Sequence, residues 1–335
     1  MSKISVIGID LAKNIFQLHG VDVTGNVVMK KKVRRSELLG TLTNLPSCLV
    51  GMEACASAHY WAREFSKAGH DVKLMAPQYV KPYVKTNKND AADAEAICEA
   101  VTRKNMRFVP AKSVAAQDLQ SIHRARKRLS NNVTGLINEM RGLLSEYGIV
   151  IPAKIYNFRS HIPDILEDEK LSPSFQRTLR ELYDEYIFLS EKIKKYDDRL
   201  KEEFKSRETC QNLGTIKGIG FVTATALATV DPSVFKNGRQ FAAWLGLTPK
   251  QHSSGGKEKL LGISKRGDTY LRQLLIHGAR VFLRWSDKNN DRLSLWAREL
   301  KLRRGHNKAC VAVANKFARI AWAIMTENRE YEYAY

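Results

Sequence analysis

The run Ile4-Ser5-Val6-Ile7-Gly8-Ile9-Asp10 constrains this chain more than any other stretch. Ile4, Val6, Ile7 and Ile9 leave the strand no polar face, so it is stable only when covered on both sides, as in an α/β sheet. It ends on a carboxylate, and open α/β sheets carry their chemistry at the ends of central strands. An Asp at a strand end is equally an ordinary cap of the next turn. Its company decides between the two.

Cys48-Leu49-Val50-Gly51-Met52-Glu53 repeats the pattern, again with a carboxylate at its end. Between the two runs, Ile15 to Asp22 alternates as a strand, Thr24-Gly25-Asn26 turns and Val27-Val28-Met29 returns, which makes a hairpin. Arg34 to Leu45 and Ala58 to Ala68 read as helices, and His70 to Met75 as a fifth strand. Pro77 opens a basic loop carrying Lys81, Lys85 and Lys88. The alanine-rich Asp90-Ala91-Ala92-Asp93-Ala94-Glu95-Ala96-Ile97 that follows favours helix, which places Asp90 and Asp93 on one face. Acids in a first turn also complement the helix dipole. Asp10, Glu53, Asp90 and Asp93 together offer hard oxygen donors on rigid elements. That chemistry suits Mg²⁺, with Mn²⁺ as a second occupant, and serves phosphate neutralisation. The order of elements resembles the RNase H-like fold, and within it the RuvC-like DEDD nucleases.

Charge supports a polyanionic partner. The chain carries 55 Lys+Arg against 35 Asp+Glu, a formal net charge of +20, and a soluble chain that basic most often meets nucleic acid. No apolar run reads as long enough to span a membrane, and Met1-Ser2-Lys3 leads straight into a strand with no signal peptide expected. Cys48, Cys55, Cys98, Cys210 and Cys310 lack CxxC spacing, which argues against zinc and disulfides and fits a reducing cytoplasm.

From about Ala115 to Phe204 the periodicity becomes heptad. Leu119, Ile122, Leu129, Val133, Leu136, Met140, Leu143 and Tyr147 form one seam, broken by Arg126. Phe175, Leu179, Leu182, Tyr186, Leu189, Ile193, Tyr196, Leu200 and Phe204 form a second. Two long helices are expected, paired as a coiled coil between chains or as a hairpin within one. The segment with Pro152, Pro163 and Pro173 forms the reversal. Arg124, Arg126, Lys127 and Arg128 give the first helix a basic face for phosphate. Beyond it, Gly218-Ile219-Gly220 between small helices resembles a helix-hairpin-helix whose backbone N–H groups hold phosphate, with Lys217 beside it; a plain helix cap explains it equally well. Thr248-Pro249-Lys250-Gln251-His252-Ser253-Ser254-Gly255-Gly256-Lys257 concentrates hydroxyls, glycines and lysines, and reads either as a flexible loop or as a reactive one. His252 is a candidate proton acceptor or an ordinary surface histidine.

Gly8-Ile9-Asp10-Leu11-Ala12-Lys13, Gly51-Met52-Glu53-Ala54 and Asn89-Asp90-Ala91-Ala92-Asp93-Ala94 resemble the N-terminal signatures of the one-ten family of insertion-sequence transposases, including its eleven-eleven branch. Gly218-Ile219-Gly220, Leu245-Gly246-Leu247-Thr248-Pro249, Ser253-Ser254-Gly255 and Ile263-Ser264-Lys265-Arg266-Gly267 are similar to that family's C-terminal domain. The resemblance implies three parts: a RuvC-like DEDD domain over 1–112, a coiled-coil helical region over 113–207 and a mainly helical transposase domain over 208–335. It implies Asp10, Glu53, Asp90 and Asp93 as metal ligands and Ser254, with Ser253 as the alternative, as a nucleophile forming a phosphoserine link to DNA. Lys13, Lys85, Lys88, Lys257, Lys265 and Arg266 join the basic residues above as nucleic-acid contacts. Donor and target DNA, a structured non-coding bridge RNA acting as guide, and a dimer-of-dimers assembly in a prokaryotic cytoplasm complete what the resemblance implies. The rival enzyme is a structure-specific nuclease that needs the acidic tetrad and no serine; the rival non-enzyme is a basic scaffold with structural carboxylates.

Overall fold

The computed structural model describes residues 3–85 and 89–334, which gather into two compact units, Met1–Val114 and Ala115–Tyr335. Lys88 lies outside the described residues.

The first unit follows the order β1 (Val6–Asp10), β2 (Ile15–Val21), β3 (Val27–Arg34), α1 (Arg35–Thr43), β4 (Leu49–Glu53), α2 (Ala58–Lys67), β5 (Asp71–Met75), α3 (Pro77–Val80), α4 (Asp90–Val101) and β6 (Phe108–Val109). These strands make one mixed sheet in the order β3-β2-β1-β4-β5-β6. β1, β2 and β3 run as an antiparallel meander, β4 and β5 lie parallel to β1, and β6 closes the edge antiparallel to β5. β1 is central because both its faces are apolar. Ile7 and Ile9 pack with Phe16, Val50, Trp61 and Phe65 on the side of α1 and α2. On the opposite face, Val6 and Leu49 meet Ile97, Ala100 and Val101 of α4.

Two local expectations are corrected, and one short strand is added. Pro77–Val80 and Lys81–Tyr83 are helical turns where a loop is expected, because a proline at the first helical position has its φ preset and lacks only a donor that would be unpaired anyway. β3 runs past Met29 through Lys30-Lys31-Lys32, an edge strand whose lysines discourage pairing with another chain. β6 is two residues long, too short for any periodicity to announce it.

The second unit contains α5 (Val114–Ser145), α6 (Ile155–Ile165), α7 (Pro173–Ser206), α8 (Glu208–Gly214), α9 (Phe221–Leu227), α10 (Gly238–Trp244), β7 (Pro249–Gln251), β8 (Leu260–Ile263), α11 (Thr269–Trp285), α12 (Arg292–Arg304) and α13 (His306–Glu327). α5 and α7 run antiparallel. Just past the end of α5, Tyr147 stacks on Phe175, ring centroids 4.0 Å apart. Arg126 bonds Asp197, and Leu119 and Ile122 meet Leu200 at the far end. The two seams therefore close on each other within one chain. The proline-bearing reversal holds a helix of its own, α6, whose Phe158 and Ile162 are buried between the long helices.

α13 is long and apolar enough, by length and composition, to cross a membrane, contrary to the sequence reading. Its apolar residues Val313, Ala314, Phe317, Ala318 and Ala321 lie in the core of the unit, against α11 and α12 residues such as Phe282 and Ala297.

The helical hairpin is tied to this core by a buried histidine. His123 of α5, 3% exposed, places Nδ1 3.1 Å from the Tyr270 hydroxyl and Nε2 3.1 Å from Thr225 Oγ1. Thr225 already donates to the Phe221 carbonyl, so His Nε2–H donates to Thr225 and Nδ1 accepts from Tyr270. Burial, and then the charge of Arg126, lower its pKa to about 4. The unfolded chain binds a proton near its ordinary value of about 6.5. The stabilisation is therefore complete above that value and is lost as pH falls towards 4. Linkage sets it at about 3 kcal/mol. Denaturant unfolding across this window should show the acid limb flattened by about that amount in His123→Gln relative to the parent.

Candidate active site

Two glycines set the site. Gly8 of β1 and Gly51 of β4 are paired in register. A Cβ on Gly8 would lie 2.2 Å from the Ala94 carbonyl oxygen and 2.4 Å from the Cys98 nitrogen; one on Gly51 would lie 2.8 Å from Val101 Cβ. Only glycine there lets the backbone of α4 rest on the sheet. Alternate residues of a strand face the same side, so Asp10 and Glu53, two positions further on, share the face that α4 covers. The helix begins at Asp90, capped by the Asn89 side chain, which accepts from Ala92 N–H at 2.8 Å. Asp90 and Asp93 stand in its first turn.

The outcome is a cluster. One carboxylate oxygen each from Asp10, Asp90 and Asp93 all lie within 4.8 Å of one another. Glu53 ends the neighbouring strand, one step beyond the Ile9–Met52 pair, and stands outside that tight group. It is close enough that desolvation first, then the charges of Glu53 and Asp10, raise the pKa of the Cys55 thiol.

These groups fit a divalent cation. Three anionic oxygens this close repel one another unless a positive charge lies between them, and carboxylates with water are the ligands Mg²⁺ takes. Gln17 adds to the set. It faces Asp10 across the β1–β2 pairing, is 8% exposed, and its side-chain oxygen has no hydrogen-bond partner. Sequence reading passed over Gln17; the hairpin register opposite Asp10 was the available signal.

The serine segment is the end of a two-stranded ribbon, with its tip turned back on itself. β7 and β8 pair antiparallel, and Lys257 N–H donates to the Ser254 carbonyl at 3.1 Å. Gly255 and Gly256 between them have φ of 56° and 76°, the double left-handed geometry that a two-residue primed turn requires. Ser253 Oγ accepts from Lys259 N–H at 3.3 Å, which commits it to the ribbon. Ser254, at the first corner of the turn, is exposed.

The root of this hairpin is stapled. Gly246 and Gly267, φ 71° and 73°, lie so close to the opposite arm that a Cβ would fall 2.3 Å from the Arg266 oxygen and 1.8 Å from the Trp244 oxygen respectively. Arg272 of α11, 7% exposed, donates from Nη1 to the Leu245 and Arg266 carbonyls at 2.9 and 2.8 Å and from Nη2 to Thr269 Oγ1 at 3.0 Å. In the sequence Arg272 is one more basic residue on a helix; in the fold it joins the two arms.

The expected nucleic-acid contacts divide. Lys13, Arg124, Arg128, Lys257, Lys265 and Arg266 are exposed, and Lys127 is half-buried. Lys85 pairs with Glu99 at 2.9 Å and Glu95 at 3.5 Å, and Arg126 is engaged by Asp197. The Lys217 ammonium bonds Asn289 and Asp291 and sits 4.3 Å from the Tyr333 ring centre. Gly218 packs on Gly278 of α11, each too near the other's carbonyl for a side chain. That Gly-x-Gly turn is accordingly a close-packed helix contact, with Lys217 N–H bonded to the Tyr333 hydroxyl.

A family model for the DEDD transposase matches residues 7–149, the segment that holds the acidic cluster, and one described as transposase of the IS116/IS110/IS902 family matches residues 210–294, which include the serine hairpin. The transposase for insertion sequence element IS1111A of Coxiella burnetii is 46% identical over 99% of this chain and 92% of its own. A probable family 20 transposase of Pseudomonas aeruginosa is 46% identical over 98% of each chain, and the transposase for insertion sequence element IS1328 of Yersinia enterocolitica 41% over 98% of each. Fold, acidic cluster and relatives define a DNA transposase of the DEDD class. The chain belongs to the IS116/IS110/IS902 transposase family.

Three substitutions test the scaffold. Gly8→Ala forces α4 off the sheet and should cost about 1–3 kcal/mol. Gly40→Ala, in α1 with open space around its Cβ, should stabilise by about 0.4–1 kcal/mol; chemical denaturation reads both signs. Arg272→Met leaves the Leu245 and Arg266 carbonyls without their donor, and should cost about 1–3 kcal/mol while speeding amide exchange in β7 and β8.

Proposed function

We propose that this transposase cuts and rejoins DNA through a serine–DNA covalent intermediate at a RuvC-like DEDD site. The observation that carries the reading is the meeting of Asp10, Asp90 and Asp93 at the end of a central strand in a sheet of this topology. The strand order, an antiparallel meander followed by two parallel strands, supports an RNase H-like domain. Asp10, Asp90 and Asp93, with Glu53 beside them, would hold Mg²⁺. Bound there, the ion supplies neutralisation of the scissile phosphate and a lower cost for the charge that develops on it.

Ser254 is the nucleophile in this reading. Its position at the corner of a two-residue turn exposes the hydroxyl, whereas Ser253 Oγ is held by Lys259 N–H. The hydroxyl loses its proton to a base, for which His252 is the neighbour in sequence. Its oxygen then bonds phosphorus as the bond to the leaving strand oxygen breaks, and that oxygen takes up a proton. Rejoining is the reverse, with a strand hydroxyl attacking and serine released. One phosphodiester-type bond replaces another, so no nucleotide cofactor is required, consistent with a chain that contains no GxxxxGK[ST] motif. Lys257, Lys265 and Arg266 around the hairpin would approach the DNA backbone. A structured non-coding RNA of the element guides target and donor choice in this reading. A dimer of dimers brings serine and acidic domains together across chains.

With labelled DNA and the guide RNA, denaturing gels should show a protein–DNA adduct. Ser254→Ala should abolish it and Ser253→Ala should keep it. An adduct that survives in Ser254→Ala refutes the assignment, and full cleavage in both variants with no adduct points to a metal-dependent nuclease. Independently, Mg²⁺ at one hundred times its dissociation constant should stabilise the protein by about 2.7 kcal/mol. Asp93→Asn should lose that gain and melt higher than the parent in metal-free buffer, because one of three repelling charges is gone.

A further inference from the structure

We infer that the second unit carries a phosphate-binding pocket between α10 and α13 that takes the backbone of a single nucleic-acid strand. Residues Gly238, Arg239, Lys316, Arg319, Trp322 and Ala323 help line a cavity of about 420 Å³, and the lining contains no carboxylate. None of its three cations makes an ion pair among the described residues, whereas Lys85, Arg126 and Lys217 are all neutralised within the fold.

The local structure holds these charges together. Gly238 lies so close to α13 that a Cβ would fall 2.8 Å from the Arg319 carbonyl oxygen, so the two helices share a tight backbone contact under the pocket. Lys316, Arg319 and Ala323 follow helical spacing along α13, and Lys316 and Arg319 are half-buried. Three positive charges around one cavity repel, and partial burial weakens the screening that would relieve them. An anion at their centre offsets this. Glu327, the sole acid in α13, lies one turn beyond Ala323 and pairs with Arg329, so it is engaged outside the cavity lining.

Size and composition select the ligand. The cavity's volume of about 420 Å³ falls in the range of small-ligand sites, which suits a phosphate and one base of a single strand. Trp322, whose Nε1 donates to the Pro232 carbonyl at 3.1 Å, adds a fixed aromatic wall. A basic groove with an aromatic wall is the pattern that tracks single strands, through phosphate contacts and base stacking. Arg239 lies 77 residues before Lys316 in the chain, so the pocket does not exist as a sequence motif.

Binding of fluorescent oligonucleotides to the full chain tests this, with salt varied. The work uses the Ser254→Ala background, so that no covalent chemistry enters and failure of the serine reading leaves the measurement intact. For single strands, log K falls with log salt by about 0.7 per neutralised phosphate. Lys316→Gln/Arg319→Gln should lower that slope by about 1.4, and adding Arg239→Gln should lower it further, with no loss of melting temperature. Lys194→Gln/Lys195→Gln, an exposed pair on α7, should leave the slope unchanged. DNA and RNA strands of one sequence identify the source by which of them shows the loss. A slope that stays constant in the pocket variants, an equal drop in the α7 control, or a drop confined to duplex DNA overturns the proposal.

Discussion

The acidic centre depends on one backbone contact, that of α4 on the paired glycines Gly8 and Gly51. Close packing leaves no room for adjustment at such a point, because a single Cβ would displace a helix carbonyl. With the helix seated, its first turn hangs over the ends of β1 and β4, and the positions of Asp90 and Asp93 follow from Asn89 capping and helical pitch. The apolar faces of β1 hold the frame rigid enough that three like charges do not push it apart.

Glycine solves a second problem in the other unit by a different route. At Gly246 and Gly267 the need is for left-handed φ and close crossing of two chain segments. Arg272 then ties both crossing arms from below. A two-stranded ribbon has little stability of its own, so the position of Ser254 rests on this root and on the turn formed by Gly255 and Gly256. The same logic joins Gly218 and Gly278 and leaves Lys217 bound inside the fold.

Much of the first unit was legible in the residues. Burial on both faces of a strand and a carboxylate at its end are local patterns, as is an alanine-rich helix start, and each was read correctly because each is set by local physics. Helix α6 was missed because prolines dominate its surroundings, and the β7–β8 hairpin because its strands are short and exposed on all sides. The basic residues were the hardest. Lys and Arg carry no signal in sequence for whether an acid lies nearby, and Arg126 meets Asp197 only because α5 and α7 fold back on each other.

By itself the sequence determined the central strands and the long helices, the two-sided burial of β1, the pairing of glycine with carboxylate two residues later, and the basic balance that calls for a polyanion. These depend on side-chain pattern over a few residues. Tertiary structure alone decided that Asp10 meets Asp90 and Asp93 more tightly than Glu53, that Gln17 faces them, that Ser253 is bonded while Ser254 is displayed, and which cations remain unpaired. Each of those is a distance between residues that are not neighbours in the chain, and such distances are set by strand pairing and packing.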